Sequence, residues 1–178
     1  MVPADIILVL AWSISGVCRD LLNTGPYVSG IIESSHFPLQ LLPAIVFAGA
    51  CFVSFSMGTA WGTFGILIPI VIDICKADPS LMVIALAATL AGSVFGAHCS
   101  PISDTTILSS TGAGVNHLDH VSTQIPYAAT VAVCAFLGYL LAGFVRNAFI
   151  VLPVSIVILL AALFLLNFLT AKRASKKA

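Results

Sequence analysis

The amino-acid sequence predicts an all-α integral membrane fold of about five hydrophobic segments, two of them interrupted as broken or re-entrant helices. Three observations predict it. Hydrophobic residues make up 60% of the 178 positions and charged residues only 8%, too few polar side chains to cover a globule in water. Two runs, Ile125 to Phe144 and Phe149 to Leu169, have the roughly 20 apolar residues that cross about 30 Å of hydrocarbon. Two further apolar stretches are cut by segments rich in Gly, Pro and hydroxyl side chains, the pattern of irregular backbone inside a membrane.

Taken in order, Val2 to Cys18 is just long enough to span. It carries Asp5 where a secretory signal has basic residues, and no small-residue cleavage site follows it, so it reads as a retained segment. It ends in the polar run from Arg19 and Asp20 to Thr24. Pro26 and Gly30 then stop any helix, and Glu33 to Pro38 suits an interface. Leu39 to Phe55 runs into the break Ser56 to Thr63 and becomes apolar again from Phe64 to Cys75. These 37 residues are too many for one straight crossing and few for two, so they form a broken helix or a re-entrant hairpin, a choice that sets the side on which Met1 lies. Leu81 to Phe95 runs into the break Gly96 to Thr106, and a shorter helix resumes before Gly112. Gly92 and Gly96 stand four apart, a spacing that lets a second helix approach closely. Residues 1–170 form one transmembrane domain and 171–178 a basic tail, whose Lys172, Arg173, Lys176 and Lys177 place it in the cytoplasm by the positive-inside bias. The loop Ala113 to Gln124 then lies on the cytoplasmic side and the turn Lys76 to Ser80 on the other.

Composition also excludes. Seven basic and seven acidic residues cancel without a basic cluster in the body of the chain, so no nucleic-acid partner is expected. Cys18, Cys51, Cys75, Cys99 and Cys134 are scattered singly with no C-x-x-C spacing, as small buried hydrophobes are. No G-x-S-x-G, H-E-x-x-H or P-loop pattern gives an enzyme an anchor.

Polar groups inside the spans carry the functional reading. An ionisable group within a span costs about 2.5 to 3.5 kcal/mol on insertion scales, which makes Asp104 the first candidate. Ser100, Ser103, Thr105 and Thr106 surround it with the hard oxygens that a sodium-like cation takes. One carboxylate with neutral oxygens holds either a cation or a proton, and competition between the two suffices for antiport. Ser103 or Asp104 also fits a helix cap. At the first break, Thr59 and Thr63 offer hydroxyls beside Trp61 and two glycines, and those hydroxyls can equally bond their own helix. His98 could share protons or bond the unwound backbone. Asp20 beside Arg19 is a further candidate or an interfacial ion pair, and Asp73 near a span end snorkels. His117 and His120 have a spacing that could hold a metal on a helix, yet read as part of a solvated loop.

The stretch from Gly92 through Ser100-Pro101-Ile102-Ser103-Asp104-Thr105-Thr106 to Gly114, with Asn116-His117-Leu118-Asp119-His120-Val121 and Gln124 to Ala128 beyond it, closely resembles the hallmark segment of the NhaC-type sodium/proton antiporters. Gly58 to Ile66 with Pro69 resembles that family's preceding motif, and Ala11-Trp12, Arg19-Asp20-Leu21 and Thr24-Gly25 resemble it more weakly. The resemblance covers most of the chain to about residue 145 and implies one inverted-repeat half, the C-terminal one, of a multi-pass cell-membrane transporter exchanging sodium for protons by alternating access. It places Ser100, Ser103, Asp104, Thr105 and Thr106 on the ion-binding segment and Thr59, Trp61 and Thr63 on its partner, with sodium at Asp104, Ser103 and Thr105. At Ala97 many relatives carry an Asp before the His, so a second carboxylate is missing here. No cofactor is implied; sodium and protons are the transported ions. The expected partners are the lipid bilayer and either the missing N-terminal half or a second copy, hence an oligomer, because a site at a repeat interface needs both repeats. The rival readings are an ion-coupled exchanger of organic anions or amino acids, of malate/lactate type, and a non-transporting fragment.

Overall fold

The computed structural model describes residues 38–76 and 78–175, together with the isolated positions Ser13, Val17 and Leu21. The expected first span, Arg19, Asp20 and the segment to Phe37 otherwise lie outside the described residues. A 3-10 turn, Leu39–Leu41, leads into α1 (Leu42–Met57), followed by α2 (Ala60–Ile74), α3 (Pro79–Cys99), the short α4 (Asp104–Gly112), α5 (His117–Val145) and α6 (Ala148–Ser175). Leu39–Met57, Pro79–Cys99, His117–Val145 and Ala148–Phe168 are long and apolar enough to cross a membrane, and Ala60–Ile74 is a shorter apolar helix.

Packing decides the path of the chain. Gly92 of α3 meets Ala50 and Cys51, and Gly96 one turn later meets Cys51, Ser54 and Phe55, so contacts advance together along both helices and α1 runs parallel to α3. A Cβ on Gly96 would stand 2.5 Å from the Cys51 carbonyl oxygen and 2.7 Å from the Phe55 nitrogen, so glycine is what allows this approach. Leu42, Val71, Cys75, Leu81 and Ala85 form one buried cluster, which joins the start of α1, the end of α2 and the start of α3. Since α2 therefore returns to the level where α1 began, the two helices form a hairpin rather than a single broken crossing. With its leading turn α1 has the length of a crossing, whereas the 15 residues of α2 measure about 22 Å at 1.5 Å per residue and fall short of one.

The remaining elements follow from this frame. α5 runs antiparallel to α3, because the Tyr139 hydroxyl donates to the Ala87 carbonyl at 3.1 Å while Arg146, at its end, pairs with Asp78, at the start of α3. The Tyr139 ring packs on Phe47 with centroids 5.3 Å apart. α6 then packs along α5, where Gly138 admits the Ser155 side chain. Three buried hydroxyls are satisfied within this bundle: Thr89 and Ser93 bond carbonyls one turn back at 2.8 and 2.7 Å, and Ser54 crosses to the Ser93 carbonyl at 2.5 Å. Cys75, Cys99 and Cys134 are buried, Cys51 is half-buried, and all four are free thiols.

Three expectations are corrected. α3 does not end at Phe95 but continues through Cys99, and its 21 residues reach about 31 Å, so the second break lies at the end of a complete crossing rather than in its middle. Gly96 is helical because α1 occupies the space its side chain would need, and His98 stays helical with its ring bonded to the Val94 carbonyl at 3.2 Å. The segment Ala113 to Gln124 is not all loop: α5 begins at His117, two turns early, because Asn116 accepts from the Leu118 and Asp119 amides at 2.9 and 3.4 Å and caps it. The first break shrinks from Ser56 to Thr63 to the two residues Gly58 and Thr59.

Candidate ion-binding site

The hairpin tip is built by one glycine. Gly58 closes α1 at φ 69°, in the left-handed region, and its amide donates to the Ser54 carbonyl at 2.8 Å. Thr59 then turns extended and α2 begins at Ala60. The second break follows the same logic: Ser100 ends α3 in extended backbone, Pro101 and Ile102 turn, and Ser103 leads extended into α4. These two breaks, 40 residues apart, touch. A Cβ on Gly58 would lie 2.8 Å from Ile102 Cγ1 and 3.0 Å from the Ile102 carbonyl oxygen, so the tip of the hairpin packs directly on the backbone of the second break.

Oxygens line both breaks. The Thr59 carbonyl accepts from Thr63 Oγ1 at 2.9 Å and from Ser54 Oγ at 3.4 Å. Ser103 Oγ lies 2.9 Å from Thr105 Oγ1, and Asp104 Oδ1 accepts from the Thr105 amide at 2.8 Å, so the three residues expected to hold sodium line one turn. Thr106 Oγ1 reaches back to the Ala97 and His98 carbonyls at 3.3 and 3.4 Å, tying α4 to the end of α3. Ser103 makes no side-chain bond to the amides of α4, so a cap is not what its hydroxyl does. Ser100 Oγ is fully buried and has no hydrogen-bond partner among the described residues, a costly state for a hydroxyl unless a ligand meets it.

Burial sorts the expected residues. Ser100, Ser103, Thr106 and Thr63 are buried, and Thr59 is half-buried. Asp104 and Thr105 face outward at the rim. Trp61 is 67% exposed and packs edge-on against Phe64, so its side chain is not brought to the junction, and His98 contributes its carbonyl rather than its ring. Asp20 lies outside the described residues. Asp73, expected to snorkel, pairs with Lys76 at 2.7 Å at the opposite end of the bundle.

One residue assigned to the solvated loop belongs here. His117 Nε2 stands 2.7 Å from the Pro101 carbonyl oxygen and Nδ1 stands 3.0 Å from Ser110 Oγ, so the first residue of α5 clamps the second break to α4. The signal for it was the pair Asn116 and Asp119, a cap followed by an acid at the third helical position. His120 makes no metal cluster with it, and no group of three His, Cys, Asp or Glu suited to a metal occurs among the described residues.

The family model described as the Na+/H+ antiporter family matches residues 1–144, which contain both breaks and the clamp. The chain belongs to the Na+/H+ antiporter family. With four membrane-capable helices among the described residues, this antiporter-family chain is a multi-pass membrane protein. It is 46% identical over 166 residues, 91% of its length, to a Haemophilus influenzae protein described as uncharacterized, of which the match covers 32%. It is 28% identical to the malate-2H(+)/Na(+)-lactate antiporter of Bacillus subtilis, over 76% of the chain and 28% of that protein. An uncharacterized Na(+)/H(+) antiporter of Haemophilus influenzae is 32% identical over 66% of the chain and 28% of its own length. The chain thus spans about a third of the length of the curated relatives it matches. No solved structure matches it.

Proposed function

We propose that this chain carries the cation- and proton-binding segment of a sodium/proton antiporter that works by alternating access. The reading rests on one observation: the two backbone breaks of separate apolar segments meet at Gly58 and Ile102, beside the buried, unpartnered Ser100 hydroxyl. Asp104 is the exchangeable charge. Sodium binds its carboxylate together with Ser103, Thr105 and Ser100 oxygens, a proton binds it in their absence, and the two compete for one site. Thr106 and Thr63 hold the backbone on either side, Thr106 at the end of α3 and Thr63 at the Thr59 carbonyl.

A hard cation takes six or more oxygens in most protein sites, more than Asp104, Ser103, Thr105 and Ser100 supply. The outward-facing rim at Asp104 is accordingly the face that meets the rest of the transporter, a companion polypeptide or a second copy, across a repeat interface. The family favours transport over catalysis, and no cofactor is assigned.

The kinship with the malate-2H(+)/Na(+)-lactate antiporter favours one second reading, ion-coupled exchange of organic anions. A carboxylate substrate would call for a cation at the junction, and the described Lys76 and Arg146 both lie at the other end of the bundle.

The test is sodium-driven proton flux in proteoliposomes, with the chain reconstituted alone and with an antiporter's N-terminal part as companion polypeptide. The expected outcome is flux in the completed transporter that disappears with Asp104→Asn. Sodium-dependent flux that survives Asp104→Asn overturns the assignment of Asp104, and sodium-driven malate or lactate uptake without proton exchange favours the second reading.

A further inference from the structure

We propose that His117 is the positioning residue of the ion-binding break: its Nε2–H holds the Pro101 carbonyl, and with it the Ser100–Ser103 turn, in the shape that sodium binding needs. This rests on the antiporter reading above.

The geometry fixes the chemistry of the ring. A carbonyl oxygen only accepts, so the 2.7 Å contact from Nε2 to Pro101 requires the hydrogen on Nε2. With that hydrogen alone on the ring, Nδ1 is an acceptor for Ser110 Oγ at 3.0 Å; with a second hydrogen on Nδ1 the ring donates to the same oxygen. The Ser110 hydroxyl has one hydrogen and two places to put it, Nδ1 or the Ile107 carbonyl at 2.9 Å, and the Nε2–H ring directs it to Nδ1. Ser110 is buried, so this choice is made away from water, where each hydrogen bond counts more.

The need for the clamp follows from the break itself. Around Pro101 the backbone leaves α3, and among the described residues the one backbone bond closing the turn is the 3.3 Å contact from the Ser103 amide to the Ser100 carbonyl. Ser100 directly precedes Pro101 and Ser103 follows it two residues on, so a turn released from His117 moves two of the proposed ligand oxygens together. His117 acts from the capped first turn of a 29-residue helix, a rigid platform that neither α4 nor the hairpin tip provides.

Two substitutions separate this from a general structural role. Gln places an amide nitrogen where Nε2 stands, and Asn places one where Nδ1 stands. In the reconstituted antiporter, His117→Ala raises the sodium KM about tenfold, the upper end of what one net hydrogen bond is worth, while kcat changes less than about threefold. His117→Gln restores a near-native KM and His117→Asn does not. An unchanged KM in His117→Ala, or equal behaviour of the Gln and Asn variants, overturns the proposal. Nitrogen-15 NMR of His117 in bilayers reads the ring's hydrogens without any transport: a hydrogen on Nε2 supports the clamp, and a ring with none on Nε2 refutes it. Absence of sodium-dependent flux in the wild-type transporter, with the Nε2–H ring present, refutes the antiporter reading and leaves the clamp standing as a fold contact.

Discussion

Gly58→Ala separates the hairpin tip from the second break. At φ 69° a left-handed alanine costs about 1 to 2 kcal/mol more than glycine. Its Cβ would stand 2.8 Å from Ile102 Cγ1, a side-chain atom that can rotate, but also 3.0 Å from the Ile102 carbonyl oxygen and 3.1 Å from the carbonyl carbon, which belong to the backbone of the break. Overpacking of this kind costs about 1 to 3 kcal/mol. The stiffer unfolded chain returns about 0.4 to 1 kcal/mol. The net is a loss of about 1 to 4.5 kcal/mol, with the Ser100–Ser103 turn displaced. Gly49→Ala is the control: it lies inside α1 with nothing within 4 Å of its added Cβ, and is neutral or stabilising by up to about 1 kcal/mol. Both variants are measured by denaturant unfolding in mixed micelles and by sodium KM after reconstitution. If Gly58→Ala matches Gly49→Ala in stability and keeps the native KM, the tip does not bear on the break and the two-break site is wrong.

Further outcomes follow from the same geometry. Ser100→Ala removes a buried hydroxyl without a partner, so sodium-free stability holds or rises by about 1 kcal/mol while sodium affinity falls; unfolding with and without sodium checks the opposite signs. Gly96→Ala drives a Cβ into the Cys51 carbonyl and the Phe55 amide, both backbone atoms, and lowers stability by about 1 to 3 kcal/mol, measured by unfolding in micelles. Asp78, outside the spans, has its carboxyl held below the usual range by the Ser80 hydroxyl, then the Leu81 amide and Arg146. A depressed carboxylate stabilises the fold above its unfolded value of about 4 and loses that contribution as pH falls through the lower folded value. The stability gap between wild type and Asp78→Asn is therefore widest at neutral pH and closes in acid, as unfolding against pH would read.

Much of the candidate site was legible because its signals are local. Ser100 to Thr106 combine proline, hydroxyls and a carboxylate within an otherwise apolar chain, and the expected helix after them is present as α4. Gly58-Thr59 marked the other break, though six neighbours predicted to unwind are helical, because Ala60 to Thr63 begin α2 and Ser56 and Met57 complete α1. Polarity misled at His117 and His120: it keeps a segment out of hydrocarbon but does not keep it out of a helix, and the Asn116 cap was the stronger signal.

The sequence by itself determined the solvent, the spans and the chemical inventory, since hydropathy, Gly and Pro positions and side-chain oxygens are properties of short windows. Only the tertiary structure decided that α1 and α2 form a hairpin, that its tip rests on Ile102, that Trp61 and His98 turn their side chains away, and that His117 clamps Pro101. Each of these depends on which helix faces lie together across gaps of up to 44 residues between partners. In an apolar chain nearly every face is hydrophobic, so periodicity does not select the contact. Shape does: Gly92 and Gly96 set α1 against α3 by close approach, and that one packing brings the two breaks to the same level.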